Sequence, residues 1–309
     1  MAAQNFAGVL VPVLTPFTAE GEPDARRHAA FCRWLLDEGA AGLAIFGTTS
    51  EANSLSPTER MKLLDRLIEA GIPAAKLMPG TGACALTDAA DLVRHAVGHG
   101  CGGVLMLPPF YYKGVPDDGI FAFISRVIEK VGSPALRMYL YHIPPVAVIG
   151  YSLDLVGRFI KAYPQTVVGL KDSSGDWNNT AALLERYPGF AIFPGSEIFL
   201  LEGLRHGAAG TITATGNINT GGIRKLYDDW QKPEADALQA EITRMRKVLQ
   251  GYTVIPALKR VIAHFWRDPG WAAVRPPLMP LDEAQSARLL SDLERIGFRL
   301  GARSKAEAA

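Results

Sequence analysis

Cysteine is scarce: Cys32, Cys84 and Cys101 are the only three in 309 residues, odd in number and scattered. Neither a disulfide framework nor a CxxC metal motif can be built from them, which points to a reducing compartment and a cytoplasmic localisation. An excess of one charge is missing too. The 32 Lys+Arg and 31 Asp+Glu leave a formal net charge of +1, and no basic block is present to neutralise phosphates, so nucleic acid is not expected as a partner. Apolar runs such as Gly102 to Phe110 and Val167 to Leu170 fall well below the ~20 residues that span a bilayer, so no membrane partner is expected. The start MAAQNFAGVL lacks a basic stretch leading into a long apolar core, so no secretory signal is expected. The six histidines include no HExxH. His95 and His99, spaced i, i+4 on the polar side of an amphipathic segment, read as solvated helix residues, and no metal is expected.

What is present is a rhythm. The length admits one large α/β domain or two ordinary ones. Short apolar runs at Val9 to Val13, Gly42 to Phe46, Lys76 to Pro79, Gly103 to Leu107, Arg137 to Tyr141, Thr166 to Leu170, Ala191 to Phe193 and Gly210 to Thr213 predict eight strands. Between and after them, helical periodicity marks Ala25 to Asp37, Pro57 to Ala70, Thr87 to Val97, Asp117 to Val131, Leu153 to Ala162, Trp177 to Arg186, Glu197 to His206 and Gly222 to Trp230. Eight successive βα units, with strands apolar on both faces, predict an α/β fold of the (β/α)8 TIM-barrel class. Ser56 before Pro57, with Glu59 three residues on, predicts a capping box. Pro233 to Gln250, Ile255 to Trp266 and Leu281 to Ile296 predict further helices, so residues 1–232 form the barrel and 233–309 a C-terminal helical extension packed on it. The small, polar tail GARSKAEAA is expected to fray.

A barrel carries its chemistry on the loops after the carboxyl ends of its strands. Lys171 closes the apolar run Val167 to Leu170 and points into the barrel mouth. Desolvation there disfavours the ammonium and supplies the free amine that attacks a carbonyl to form a Schiff base; the other reading is a lysine that reaches water or pairs with Asp172. Tyr141, at the end of the neighbouring strand, carries a phenol able to move the protons that imine chemistry requires, or it is a core tyrosine with a satisfied hydroxyl. The turn Gly47-Thr48-Thr49 offers N–H groups and two hydroxyls suited to a carboxylate, or it is an ordinary capped turn.

These residues resemble the dihydrodipicolinate synthase and N-acetylneuraminate lyase family over about residues 6 to 300. GTTSE at 47 resembles the family turn G-[ST]-T-G-E that binds the 2-oxo acid carboxylate, with Ser50 in place of glycine. YHIP at 141 resembles the Y-x-x-P segment of the proton-relay tyrosine, and GLKDSSGD at 169 the strand that bears the imine lysine. GAAGTIT at 207 resembles the strand-8 segment that sets Ile212 beside the bound acid. PPFYY resembles the segment that, in the synthases, lends a tyrosine to the neighbouring subunit's relay. That role falls to Tyr111, with Tyr112 the competitor. Gly195-Ser196-Glu197 resembles the loop whose acidic side chain, in the lyases, accepts hydrogen bonds from substrate hydroxyls, although Glu197 also suits a first helical turn. Ser173 lies where the lyases carry a hydroxyl near the scissile bond.

One departure bears on substrate. The synthases carry an arginine two residues after the proline of the relay segment, and Val146 takes its place here, removing a bidentate carboxylate anchor. The resemblance thus implies a lyase, aldolase or dehydratase, that needs no cofactor beyond a covalent Lys171 imine. Its substrate is pyruvate or a hydroxylated 2-oxo acid such as 4-hydroxy-2-oxoglutarate or a 2-keto-3-deoxy sugar acid. Condensation of pyruvate with aspartate semialdehyde is the second reading, and a 2-oxo acid sensing barrel the non-enzymatic one. A homo-oligomer, dimer or tetramer, is expected.

Overall fold

The computed structural model describes residues 5–302. Seven ladder strands follow one another as β1 (Gly8–Val11), β2 (Gly42–Leu43), β3 (Val104–Met106), β4 (Met138–His142), β5 (Val167–Asp172), β6 (Ala191–Pro194) and β7 (Gly210–Ile212). All pairings between them are parallel, in the orders β2-β1-β7 and β3-β4-β5-β6. The expected strand Lys76 to Pro79 differs: Ala74–Lys76 is a 3-10 turn, and only isolated bridges at Leu77 and Gly80 continue the sheet. Pro79 has no N–H with which to extend a ladder. The segment is nonetheless the eighth stave, since Met78 N–H donates to Leu43 O at 2.9 Å and Leu105 N–H to Pro79 O at 2.9 Å. On the other side Ala209 N–H donates to Ile192 O at 2.9 Å, which joins β6 to β7 and closes the ring. The fold is a (β/α)8 barrel.

Around it lie α1 (Ala25–Asp37), α2 (Pro57–Glu69), α3 (Leu86–Gly98), α4 (Asp117–Val131), the short α5 (Pro144–Ala147), α6 (Leu153–Ala162), α7 (Trp177–Arg186), α8 (Leu200–Arg205) and α9 (Gly216–Asp229). Ser56 and Glu59 form the capping box of α2 as their spacing predicts. The helix expected from Glu197 instead begins as a 3-10 turn, Glu197–Phe199. Gln239 explains this: its Nε2 donates to Glu197 O at 3.0 Å and its Oε1 accepts from Leu201 N–H at 2.9 Å. The amide thus occupies both ends of the i→i+4 bond that would have made the first α-turn. Helix α9 starts six residues before the expected Gly222 and kinks at Asn219, because Asn217 ties its first turn to the barrel through Leu14 N–H and Pro12 O.

The interior is filled by apolar side chains and one large ring. Tyr139 is fully buried, and a Cβ on Gly169 would lie 2.5 Å from that ring. The glycine two residues before Lys171 is therefore a packing requirement. Three more helices, α10 (Ala235–Gln250), α11 (Val254–Phe265) and α12 (Glu283–Arg295), pack against the barrel. Trp266 Nε1 donates to Gly301 O at 3.0 Å, so the first residue of the expected frayed tail is held, and residues 303–309 lie outside the described residues. His95 and His99 also depart from expectation: both rings are half-buried and meet Asp65 of α2. No helix among the described residues is long and apolar enough to cross a membrane.

Candidate active site

The parallel register of β4 and β5 pairs Tyr141 with Lys171, so the two side chains leave the sheet together. Lys171 Nζ lies 4.3 Å from the centroid of the Tyr141 ring, and the residues are 4% and 3% exposed. Asp172 does not pair with the lysine. Its carboxylate turns outward and accepts from Ser174 N–H at 2.9 Å, Asn179 Nδ2 at 3.0 Å and Thr180 Oγ1 at 2.7 Å, fixing the loop into α7. Among the described residues Lys171 forms no ion pair. An amine desolvated without a counter-charge beside a phenol is poised for nucleophilic and proton-transfer chemistry.

The Tyr141 hydroxyl donates to Thr48 Oγ1 at 3.2 Å, which ties the phenol to the turn after β2. That turn is held under strain: Phe46 and Glu51 have φ of 58° and 57°, in the left-handed region where non-glycine residues are rare. Ser50 is not in that region, so a side chain is accommodated where the family pattern has glycine, and its Oγ accepts from Gly47 N–H at 3.3 Å. The N–H groups of Thr48 and Thr49 have no backbone acceptor among the described residues. The Glu51 carboxylate anchors the turn from below, accepting from Arg275 N–H at 2.9 Å and from the buried ammonium of Lys259. Burial pulls the Lys259 amine below its ordinary pKa, against the attraction of Glu51.

A cavity of about 290 Å3 opens above Lys171 and Tyr141, lined further by Thr48, Thr49, Ser173, Gly195, Ser196 and, from the C-terminal helices, Arg246 and Val254. A Cβ on Gly195 would lie 2.1 Å from Ser173 Oγ, so glycine there is what lets the serine stand. N–H and hydroxyl donors, an amine, a phenol and a guanidinium around one space can hold an anion and move protons beside a nucleophile.

The family model for the dihydrodipicolinate synthetase family matches residues 5–296. The chain belongs to that family. A Chloroflexus aurantiacus protein named an uncharacterized DapA-like lyase is 34% identical over 291 residues, 94% of this chain and 96% of that protein. The 4-hydroxy-tetrahydrodipicolinate synthase of Rhizobium meliloti is 31% identical over 69% of this chain and 71% of its own. Among solved structures, dihydrodipicolinate synthase from Agrobacterium tumefaciens superposes with a TM-score of 0.88 at 32% identity, covering 94% of this chain and 99% of that one. YagE of E. coli, a family member crystallised with pyruvate, gives 0.86 at 25% identity over 94% and 99%. This chain is a lyase of the dihydrodipicolinate synthetase family.

The remaining residues that resemble the family's site sit at different depths. Gly47 borders a narrow recess beside Thr48 and Tyr141, and Ile212 is fully buried in the barrel core, next to the cavity rather than lining it. Glu197 is 1% exposed and lies beneath the cavity: Thr213 and Thr215 donate to its two oxygens, and Arg246 Nη1 lies 3.5 Å away. Of those partners, only Arg246 lines the cavity. Tyr111 and Tyr112 are each 72% exposed, pack edge to face on one another, and lie outside this cavity. Val146, 60% exposed, stands at the rim.

Arg246 is the residue that sequence reasoning missed. Its Nη1 donates to Thr213 Oγ1 at 3.4 Å, while its buried Nε has no hydrogen-bond acceptor among the described residues. A signal existed: Ile242, Met245 and Leu249 are the buried face of α10, and Arg246 is i+4 from the first and i−3 from the last, hence on that same face.

Proposed function

We propose that this lyase forms an imine between Lys171 and the C2 carbonyl of pyruvate or a hydroxylated 2-oxo acid, with no other cofactor. The observation that carries the reading is a buried Lys171 without an ion pair, set against Tyr141 in a cavity edged by Thr48 and Thr49. The substrate carboxylate would meet the N–H groups and hydroxyls of that turn. Lys171 Nζ adds to the carbonyl, the carbinolamine loses water, and Tyr141 passes the protons, with Thr48 orienting its hydroxyl. The iminium nitrogen then accepts an electron pair. Either a carbon–carbon bond breaks as the substrate hydroxyl loses its proton, releasing an aldehyde and an enamine, or C3 gives up its proton to form the enamine, whose electron pair then expels the β-hydroxyl as water once that hydroxyl has taken up a proton. Protonation and hydrolysis free the lysine. The pyruvate bound to YagE supports a pyruvate-type acid.

Val146 offers no charge at the rim, so hydroxylated acids are the preferred class, with Ser173 and Ser196 as hydrogen-bonding partners. One observation favours condensation of pyruvate with aspartate semialdehyde as the second reading: Arg246 brings a guanidinium that could hold a distal carboxylate. Tyr111, exposed and outside its own cavity, is assigned to the relay of a neighbouring copy in a dimer or tetramer, with Tyr112 the competitor.

Borohydride reduction in the presence of pyruvate, followed by intact-mass analysis and peptide mapping, tests the imine. One reduced adduct is expected, on Lys171. Lys259, buried against Glu51 and outside the cavity, is the control. An adduct that survives Lys171→Ala would falsify the assignment. For substrate class, we expect 4-hydroxy-2-oxoglutarate or a 2-keto-3-deoxy sugar acid to exceed the condensation in kcat/KM by about one to two decades, the worth of one charged hydrogen bond. A higher value for the condensation installs the synthase reading instead.

A further inference from the structure

Apart from the cavity's lining residues, two helices of the outer ring bring three metal-ligating groups to one point. His95 and His99 are four residues apart on α3 and so project from one face of it, and Asp65 reaches them from α2. The two Nε2 atoms converge on a single carboxylate oxygen, Asp65 Oδ1, at 2.8 and 2.7 Å. The rings stand at 78° with centroids 4.7 Å apart, and one donor atom from each of the three residues lies within 4.8 Å of the others. Side-chain exposures of 25%, 33% and 37% leave the cluster half-buried and open to solvent on one side.

We propose that Asp65, His95 and His99 bind one divalent transition-metal ion of the zinc class, which cross-links α2 to α3. Without a metal, His99 Nε2 bonds Asp65 Oδ1 at 2.7 Å while His95 Nε2 also has the Met61 carbonyl oxygen at 3.2 Å, so metal binding would take both Nε2 atoms from hydrogen bonding to coordination. With the ring protons on Nδ1, both Nε2 lone pairs and the carboxylate face a common centre. Bonds of about 2.0–2.1 Å in a tetrahedral set place donors about 3.3 Å apart, so the present contacts need to open by roughly half an ångström. Side chains on two surface helices can give that much. Two imidazoles and one carboxylate suit zinc, cobalt, nickel or copper rather than magnesium or calcium, which take all-oxygen sets. Water completes the coordination on the exposed side.

The test uses the full chain without an affinity tag, stripped with chelator, in a Cys84→Ser background so that the exposed thiol cannot compete. Zinc is titrated by calorimetry and cobalt by visible absorption. The expected result is one equivalent bound with micromolar or tighter affinity and a higher Tm in excess zinc. His95→Ala, His99→Ala and Asp65→Asn should each weaken binding by about tenfold or more. Circular dichroism and the pyruvate adduct on Lys171 report folding, and His95→Gln and His99→Gln replace any alanine variant that fails it. No saturable binding by the parent protein, or unchanged binding by a variant that combines His95→Gln with His99→Gln, overturns the proposal.

Discussion

Tyr141 makes one side-chain hydrogen bond, to Thr48 at 3.2 Å, and turns one ring face to Lys171 at 4.3 Å. Removing the hydroxyl leaves the ring and its packing in place, so Tyr141→Phe separates the proposed proton transfer from structure. We expect the variant to keep its fold and its borohydride adduct while kcat falls by about 100-fold or more, the usual worth of a positioned acid–base group. Turnover at the parent rate would reassign the relay. Glu197 makes the complementary point: a carboxylate with both oxygens engaged by Thr213 and Thr215 is committed before substrate arrives, and its charge sets the position of Arg246.

At the scale of elements, the turn after β2 and the helix α11 depend on each other. Glu51 holds a left-handed backbone conformation that the turn alone would not favour, and Lys259 holds Glu51 from 208 residues away. Arg275 adds its backbone N–H to the same carboxylate, and its guanidinium bonds Ser54 O at 2.7 Å and Glu59 at 2.7 Å. The C-terminal region is therefore a brace for the turn after β2 as well as the source of Arg246. Glu51→Ala leaves the fully buried Lys259 ammonium without its counter-charge, and breaking such a pair costs about 3–5 kcal/mol. Urea unfolding should show that loss, together with a higher KM for pyruvate as the turn relaxes. A variant with parent stability and KM would show that the turn stands on its own.

For the whole molecule, two groups with strongly lowered pKa values contribute to the response to acid. His28 is fully buried, both ring nitrogens lack a hydrogen-bond partner among the described residues, and burial, with the Lys259 charge adding to it, lowers its pKa from 6.5 to about 3. The unfolded chain therefore takes up a proton below about pH 6.5 that the folded chain refuses until about pH 3, and stability falls with pH across that window. Glu59, held at about 2 chiefly by its hydrogen bond from Arg275, adds a loss in the same direction between its ordinary 4.5 and about 2. We expect Tm to be level between pH 6.5 and about 8 and to decline steadily below 6.5. His28→Phe should flatten the decline between pH 6.5 and 4.5 while leaving the lower part. A parent Tm unchanged from pH 6.5 to 4.5 would place the His28 ring in a wetter setting than this.

Much of the protein is local, and that part the sequence determined by itself. Helices α1, α4, α6 and α7 begin and end where period and end signals place them, because caps and apolar stripes act over three or four residues. The strand-end loops follow from the barrel, and with them Lys171, Tyr141 and the Thr48-Thr49 turn. Tertiary structure decided whatever couples distant segments. Only ring closure tells that Leu77 to Gly80 is a stave with no full ladder, that Gln239 cuts into the first turn after Ser196, or that Asp65 meets two histidines. Arg246 and Glu197 carry the same lesson. A charged side chain in sequence is a solvated group until packing removes its water, and which partner then neutralises it depends on the elements that close over it.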